Sequence, residues 1–129
     1  MEYDLNYLLE LSIKAACEAS EEILKIYNGV NFDVEKKQDG SPITLADKNA
    51  NKVIEKILSK TNIPILSEEG KDIIYEERKS WDYFWLVDPL DGTKEFVKRN
   101  GEFTVNIALI NNGKPLLGVI HVPVANVLY

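Results

Sequence analysis

Between Leu5 and Tyr27 apolar residues return every three or four positions, at Leu5, Leu8, Leu9, Ile13, Ala16, Ile23, Leu24 and Tyr27, with Glu18, Glu21, Glu22 and Lys25 between them. This spacing predicts a long amphipathic helix, closed by a cap or turn at Asn28-Gly29. Phe32 and Val34 then alternate with polar neighbours in a short segment ending at Lys36-Lys37, which reads as an edge strand. After the turn cluster Asp39-Gly40-Ser41-Pro42, a second helical pattern runs through Ala46, Ala50, Val53, Ile54, Ile57 and Leu58. With Thr44 as its N-cap, Asp47 falls at the third helical position, where the helix dipole favours a carboxylate. On spacing alone Asp47 therefore reads as a capping-box acid.

Pro64-Ile65-Leu66 and Phe84-Trp85-Leu86-Val87 are apolar runs too short for helices, so each predicts a buried strand. The first runs into Ser67-Glu68-Glu69-Gly70 and the second into Asp88-Pro89-Leu90-Asp91-Gly92-Thr93. Two strands thus deliver carboxylates at their C-terminal ends. The charged stretch from Lys71 to Ser80 reads as a surface loop or irregular helix, and Phe103–Ile110 and Leu116–Val122 form a hairpin about Asn111-Asn112-Gly113. The length suits one domain, and the chain shows no repeats, low-complexity stretches or linkers.

Composition narrows the function classes. In 129 residues, 15 Lys and Arg against 21 Asp and Glu leave a formal charge of −6. An acidic chain lacks the cationic surplus that nucleic-acid polymers or anionic membranes demand, so any phosphate-bearing ligand must be held locally. No apolar run is long enough for a transmembrane span, and MEYDLNYLLE carries acids where a signal peptide carries positive charge. The expectation is a cytoplasmic protein, with peripheral association at the inner membrane left open. A lone Cys17 and a lone His121 argue against both a disulfide and a zinc site. The chain ends on an apolar segment, Val122 to Tyr129, which predicts a fold cut short of its natural boundary.

The segment Asp88–Thr93 holds the most chemistry. Pro89 is expected to stop the strand and bend the chain, letting Leu90 present its carbonyl beside two carboxylates. Gly92 allows close backbone approach to a ligand, and Asp91 can cap a short helix through Thr93, Lys94, Glu95 and Phe96, whose first N–H groups point at an anion. Carboxylates plus a carbonyl are hard donors suited to Mg²⁺. With Glu68 there are three acids, whose mutual repulsion would call for a metal or basic partners. An EF-hand register fails, because centring its turn glycine on Gly92 puts the first and last ligand positions on Val87 and Lys98. Spacing alone leaves open a simple turn with surface acids.

Asp39-Gly40-Ser41-Pro42-Ile43-Thr44-Leu45-Ala46-Asp47, Leu66-Ser67-Glu68-Glu69 and Trp85-Leu86-Val87-Asp88-Pro89-Leu90-Asp91-Gly92-Thr93-Lys94-Glu95-Phe96 together resemble, in order and spacing, the inositol monophosphatase-like family of metal-dependent phosphatases. The continuation Lys98-Arg99-Asn100-Gly101-Glu102-Phe103-Thr104-Val105-Asn106 is most similar to its bacterial 3′(2′),5′-bisphosphate nucleotidase branch, the CysQ type. The resemblance spans nearly the whole chain and is to the N-terminal half of that family. It implies a layered α/β sandwich of mixed sheet and flanking helices, the inositol monophosphatase and sugar phosphatase type, with residues 1–129 as a single N-terminal phosphatase domain. It further implies Mg²⁺ ligands at Glu68, Asp88, Asp91 and the Leu90 carbonyl, and a water-activating pair at Asp47 and Thr93, with Glu68 also serving catalysis. The substrate would be met by Glu68, Leu90, Asp91, Gly92 and Thr93, the backbone at Gly92 and Thr93 holding the phosphate.

The implied reaction is removal of the 3′-phosphate of adenosine 3′,5′-bisphosphate to give AMP, in sulfur metabolism. A further metal-binding Asp and most nucleotide contacts belong to the family's C-terminal half, so little turnover is expected of this piece alone. The alternatives are an inositol monophosphatase or other sugar phosphatase, and, in a different class, a non-catalytic metal-binding or interaction domain. Cys17 is expected to be a buried small hydrophobe and His121 a packed structural histidine. Trp81, Tyr83, Phe84 and Trp85 are expected to pack around their strand.

Overall fold

A computed structural model describes residues 3–29, 42–68 and 75–129. The expected edge strand at Phe32–Lys37, the turn residues Asp39, Gly40 and Ser41, and Glu69-Gly70 lie outside the described residues.

Helix α1 (Leu5–Gly29) starts where Asp4 Oδ1 accepts the backbone N–H groups of Asn6 (3.0 Å) and Tyr7 (3.3 Å), satisfying two donors that a helix start leaves unpaired. Its buried stripe runs through Leu8, Leu11, Ala15, Ala16, Ala19 and Ile23, while Leu5 and Leu9 face solvent. Helix α1 packs on α2 (Pro42–Leu58), and Ala15, Ala16 and Ala19 of the one and Ala46 and Ala50 of the other are all fully buried, small side chains that suit close packing of two helices.

Helix α2 begins at Pro42, not after Thr44. A proline at the first helical position loses nothing through its missing N–H and arrives with its φ already helical. Thr44 is therefore inside the helix, and Asp47 falls in its second turn, leaving the first turn without an acid. The capping-box reading of Asp47 is thereby excluded.

A 3-10 turn (Ser59–Thr61) closes on Asn62 in the left-handed conformation, and the chain enters β1 (Ile65–Ser67). The described part of the charged stretch contains a short helical turn, α3 (Tyr75–Arg78). Next come β2 (Tyr83–Asp91), α4 (Thr93–Lys98), β3 (Thr104–Asn111), β4 (Lys114–Val122) and β5 (Val127–Leu128). They form one mixed sheet in the order β1-β2-β3-β4-β5, with β1 and β2 parallel and the rest antiparallel. This is the expected arrangement of mixed sheet and flanking helices. The β3–β4 hairpin turns through Asn112 (φ 51°) and Gly113 (φ 79°), both left-handed, the backbone a two-residue turn needs to match strand twist.

Both long helices cover one face of the sheet. Trp85, Val87, Val105, Ile107, Leu109 and Val119 alternate onto that face and are buried against α1 and α2. Trp85 is 0% exposed and its Nε1–H donates to Thr61 Oγ1 at 3.1 Å; Trp81, Tyr83 and Phe84 are half-buried around it. His121 is buried as expected, with Nδ1 2.6 Å from Ser20 Oγ and Nε2 3.0 Å from Asn126 Oδ1. Cys17 is only half-buried. The opposite face of the sheet carries Leu86, Asp88, Asn106, Ala108 and Ile120, and there Leu86 and Ile120 are each 44% exposed. No helix among the described residues is long and apolar enough to cross a membrane.

Candidate active site

The site grows out of the parallel pairing of β1 with β2. Ser67 lies opposite Val87, and the Glu68 N–H donates to the Val87 carbonyl at 3.2 Å. Glu68, the first residue after β1, and Asp88 thus both follow directly on the Ser67–Val87 pair that ends the ladder. Ser67 and Val87 point into the core, so alternation sends both carboxylates to the open face. There they line one cavity of about 510 Å³ together with Leu86, Asn106, Ile120 and Tyr129.

Strand β2 does not stop at Pro89. It continues to Asp91 through an irregularity, because Asp88 pairs with Asn106 whereas Asp91 pairs with Thr104. Three steps along β2 match two along β3, which is one extra residue, a bulge. A proline suits that position, since it has no N–H for the ladder, and Pro89 and Leu90 drive their side chains into the core. The bulge has a chemical consequence. Thr104 and Asn106 are two apart and share a face, so their partners Asp88 and Asp91 share it too, although an unbroken strand would place residues three apart on opposite faces.

Asp91 is exposed, and its Oδ2 accepts a hydrogen bond from Asn106 Nδ2 at 3.0 Å. The helix after it is capped by Gly92 and not by Asp91: Gly92 adopts φ 95°, ψ 51°, no side chain caps the end, and the Phe96 N–H closes the first turn on the Gly92 carbonyl at 3.0 Å. An aspartate ladder-paired in β2 and bonded to Asn106 is not placed to cap α4. Thr93 opens α4 and lines a separate depression with Lys94, Val97 and Lys98.

Asp47 is half-buried on α2, one turn before Asn51, whose Oδ1 accepts from Ser67 Oγ at 2.5 Å. Residues four apart share a helix face, so this bond turns the Asp47 face toward the end of β1, and α2 also packs against α4. The structure accordingly brings Glu68 and Asp88 together, sets Asp91 on their face, and holds Asp47 and Thr93 on neighbouring helices. The sequence motif ending at Asn106 does not by itself mark this residue as part of the site. An amide in the otherwise apolar run Val105-Asn106-Ile107-Ala108-Leu109 was the available signal.

Among the described residues, no three His, Cys, Asp or Glu side chains gather closely enough to hold a metal. Glu68 and Asp88 line one cavity, and Asp91 on the same face is bonded to Asn106. Two carboxylates opening into one cavity still fit Mg²⁺, which keeps several waters and is held by one or two carboxylates rather than an all-protein cage. With hard oxygen donors and no thiol or imidazole lining the cavity, the site does not suit a softer metal.

Residues 4–129 match the inositol monophosphatase family. The chain is 50% identical over 125 residues to the 3′(2′),5′-bisphosphate nucleotidase CysQ of Escherichia coli K12, covering 95% of this chain and 50% of that protein. It is 38% identical to the protein of the same name from Haemophilus influenzae, covering 96% and 46%. Among solved structures it is similar to CysQ from Bacteroides thetaiotaomicron, described as a bacterial member of the inositol monophosphatase family, with a TM-score of 0.88 at 54% identity over 93% of this chain and 44% of the other. An inositol monophosphatase from Anabaena superimposes with a TM-score of 0.78 at 27% identity, covering 98% and 44%. The chain thus spans about half the length of the relatives it matches. Its match across residues 4–129, on a mixed sheet that sets acids at the ends of adjacent strands, makes it a member of the inositol monophosphatase family.

Proposed function

We propose that this chain carries part of the active centre of a Mg²⁺-dependent phosphomonoesterase that removes the 3′-phosphate of adenosine 3′,5′-bisphosphate, leaving AMP. The observation that carries the reading is the placement of Glu68 and Asp88, each directly after the last pair of the parallel β1–β2 ladder, in the lining of a single cavity, in a chain half-identical to proteins named 3′(2′),5′-bisphosphate nucleotidase. Identity to the Anabaena inositol monophosphatase is 27%, which favours the nucleotide over the inositol ester.

In this proposal Glu68, Asp88, Asp91 and the Leu90 carbonyl hold Mg²⁺. The bound ion supplies Lewis acidity that offsets charge on the phosphoryl oxygens. Asp47 accepts the hydroxyl proton of Thr93, and the Thr93 oxygen then accepts a hydrogen bond from water, orienting it toward phosphorus. Glu68 would take up the water proton as the new P–O bond forms, and the 3′ oxygen released when the old P–O bond breaks would take a proton from solvent to give the 3′-hydroxyl of AMP. The backbone at Gly92 and Thr93 binds phosphate oxygens, where the left-handed Gly92 turns the chain into α4. Low charge on the partner is not required, because an acidic surface recruits the cation and the cation recruits the anion. A single cysteine, which has no partner within the chain for a disulfide, supports a cytoplasmic setting.

The test is phosphate release by the full-length gene product carrying this sequence, on a panel containing adenosine 3′,5′-bisphosphate and inositol 1-phosphate, with and without Mg²⁺. The expected result is Mg²⁺-dependent release from the nucleotide, abolished by Asp91→Asn. Preference for the inositol ester overturns the nucleotidase assignment, and an unchanged rate in Asp91→Asn overturns the site.

A further inference from the structure

Asn106 occupies an unusual position for an amide. It stands in β3, paired to Asp88 of β2 on one side and to Ile120 of β4 on the other, so its backbone is held in the middle of the sheet. Its Nδ2–H donates to Asp91 Oδ2 at 3.0 Å. Its Oδ1 is buried and has no hydrogen-bond partner among the described residues, so the bond to Asp91 is the contact that orients the amide. Turning the amide over would press its oxygen against a carboxylate oxygen, which electrostatics forbids. The donor therefore faces Asp91 by necessity, and a rigid strand aims it.

We propose that Asn106 is a positioning residue that sets the cation preference of the site by favouring one oxygen of Asp91 over both as the donor. This rests on the magnesium reading above. With one lone pair of Oδ2 engaged by Asn106 and the carboxylate's orientation fixed by that bond, Asp91 offers a cation Oδ1 in preference to both oxygens. Ca²⁺ takes six to eight oxygens and accepts both oxygens of one carboxylate, whereas Mg²⁺ demands octahedral geometry and takes one oxygen from each ligand group. A carboxylate oriented to offer one oxygen thus suits the smaller ion better than the larger one. The bulge at Pro89 makes this possible, since it places Asp91 on the face from which Asn106 reaches it.

The test is calorimetric titration of the full-length gene product carrying this sequence with MgCl₂ and with CaCl₂, for the parent and for Asn106→Leu, which keeps the side chain's size and removes its donor. The expected result is a shift of the Mg²⁺-to-Ca²⁺ affinity ratio by about tenfold toward Ca²⁺, in the range that loss of a ligand's hydrogen-bond partner produces at metal sites. Far-UV circular dichroism confirms the fold of the variant, and Asn106→Ala makes the same deletion with a smaller side chain if leucine is not tolerated. A parent that binds Mg²⁺ while the ratio stays constant in the variant overturns the role of Asn106 and leaves the magnesium reading standing. A parent that takes up no Mg²⁺ overturns both.

Discussion

Replacing Gly92 by alanine tests the turn on which the candidate phosphate contact depends. Gly92 sits at φ 95°, beyond the left-handed basin that L-residues tolerate, and that conformation alone costs a residue with a Cβ about 1–2 kcal/mol. The added methyl would also meet two atoms, Glu95 Oε1 at 3.1 Å and Phe103 Cα at 3.2 Å. The carboxylate can swing away. The Phe103 backbone cannot move as freely, because its ring is fully buried against Tyr27 and Phe96, with centroids 4.9 and 5.2 Å away. Displacing packed backbone adds roughly 1–2 kcal/mol, for a total of about 3 kcal/mol. Gly113→Ala is the internal control: its φ of 79° is also left-handed, but a Cβ there meets nothing within 4 Å, so only the conformational cost of about 1 kcal/mol applies. Urea unfolding followed by circular dichroism reads both. With a slope of roughly 1–3 kcal/mol per molar, Gly92→Ala should lower the midpoint by about 1–3 M. Equal losses in the two variants would refute the close contact with Phe103, and a loss below about 0.5 kcal/mol in Gly92→Ala would refute the strained turn as well.

Burial, and secondarily the charge of Glu21, push the Cys17 thiol above the ordinary cysteine pKa. Its alkylation by iodoacetamide should accordingly reach half-maximal rate at a higher pH than a free cysteine peptide, with Glu21→Gln returning only the smaller part of the shift; a midpoint at or below the peptide's contradicts this. Because the folded pKa is the higher one, the associated stability is fully present below the free-thiol pKa and is lost as pH rises through the folded value. Trp85→Phe removes the indole donor to Thr61 and some core volume, but Thr61 Oγ1 still accepts from the Ile63 N–H at 3.2 Å and donates to the Leu58 carbonyl at 2.7 Å. The loss should be only about 1–2 kcal/mol by urea unfolding, and a loss above about 4 kcal/mol would mean that Thr61 is left unsatisfied.

Periodicity in the chain was enough to locate α1, the body of α2 and the β3–β4 hairpin, because helix and strand repeats and the Asn-Gly turn are local properties of ten or so residues. The ordered acid motifs were also legible, and they pointed to the family before any pairing was known. The start of α2 is ambiguous in the sequence because Thr44 and Pro42 both suit a helix N-terminus, and the structure's choice of Pro42 puts Asp47 in the second turn and not at a capping position. Pro89 looked like a strand end because a proline lacks the ladder N–H, yet the sheet absorbs it as a bulge whose apolar side chains are held by the core. Which distant residues become neighbours was decided only in three dimensions. Glu68 meets Asp88, and Asp91 meets Asn106, through strand register, and register is set by the summed burial of whole strand faces against α1 and α2, a quantity no short window of sequence contains.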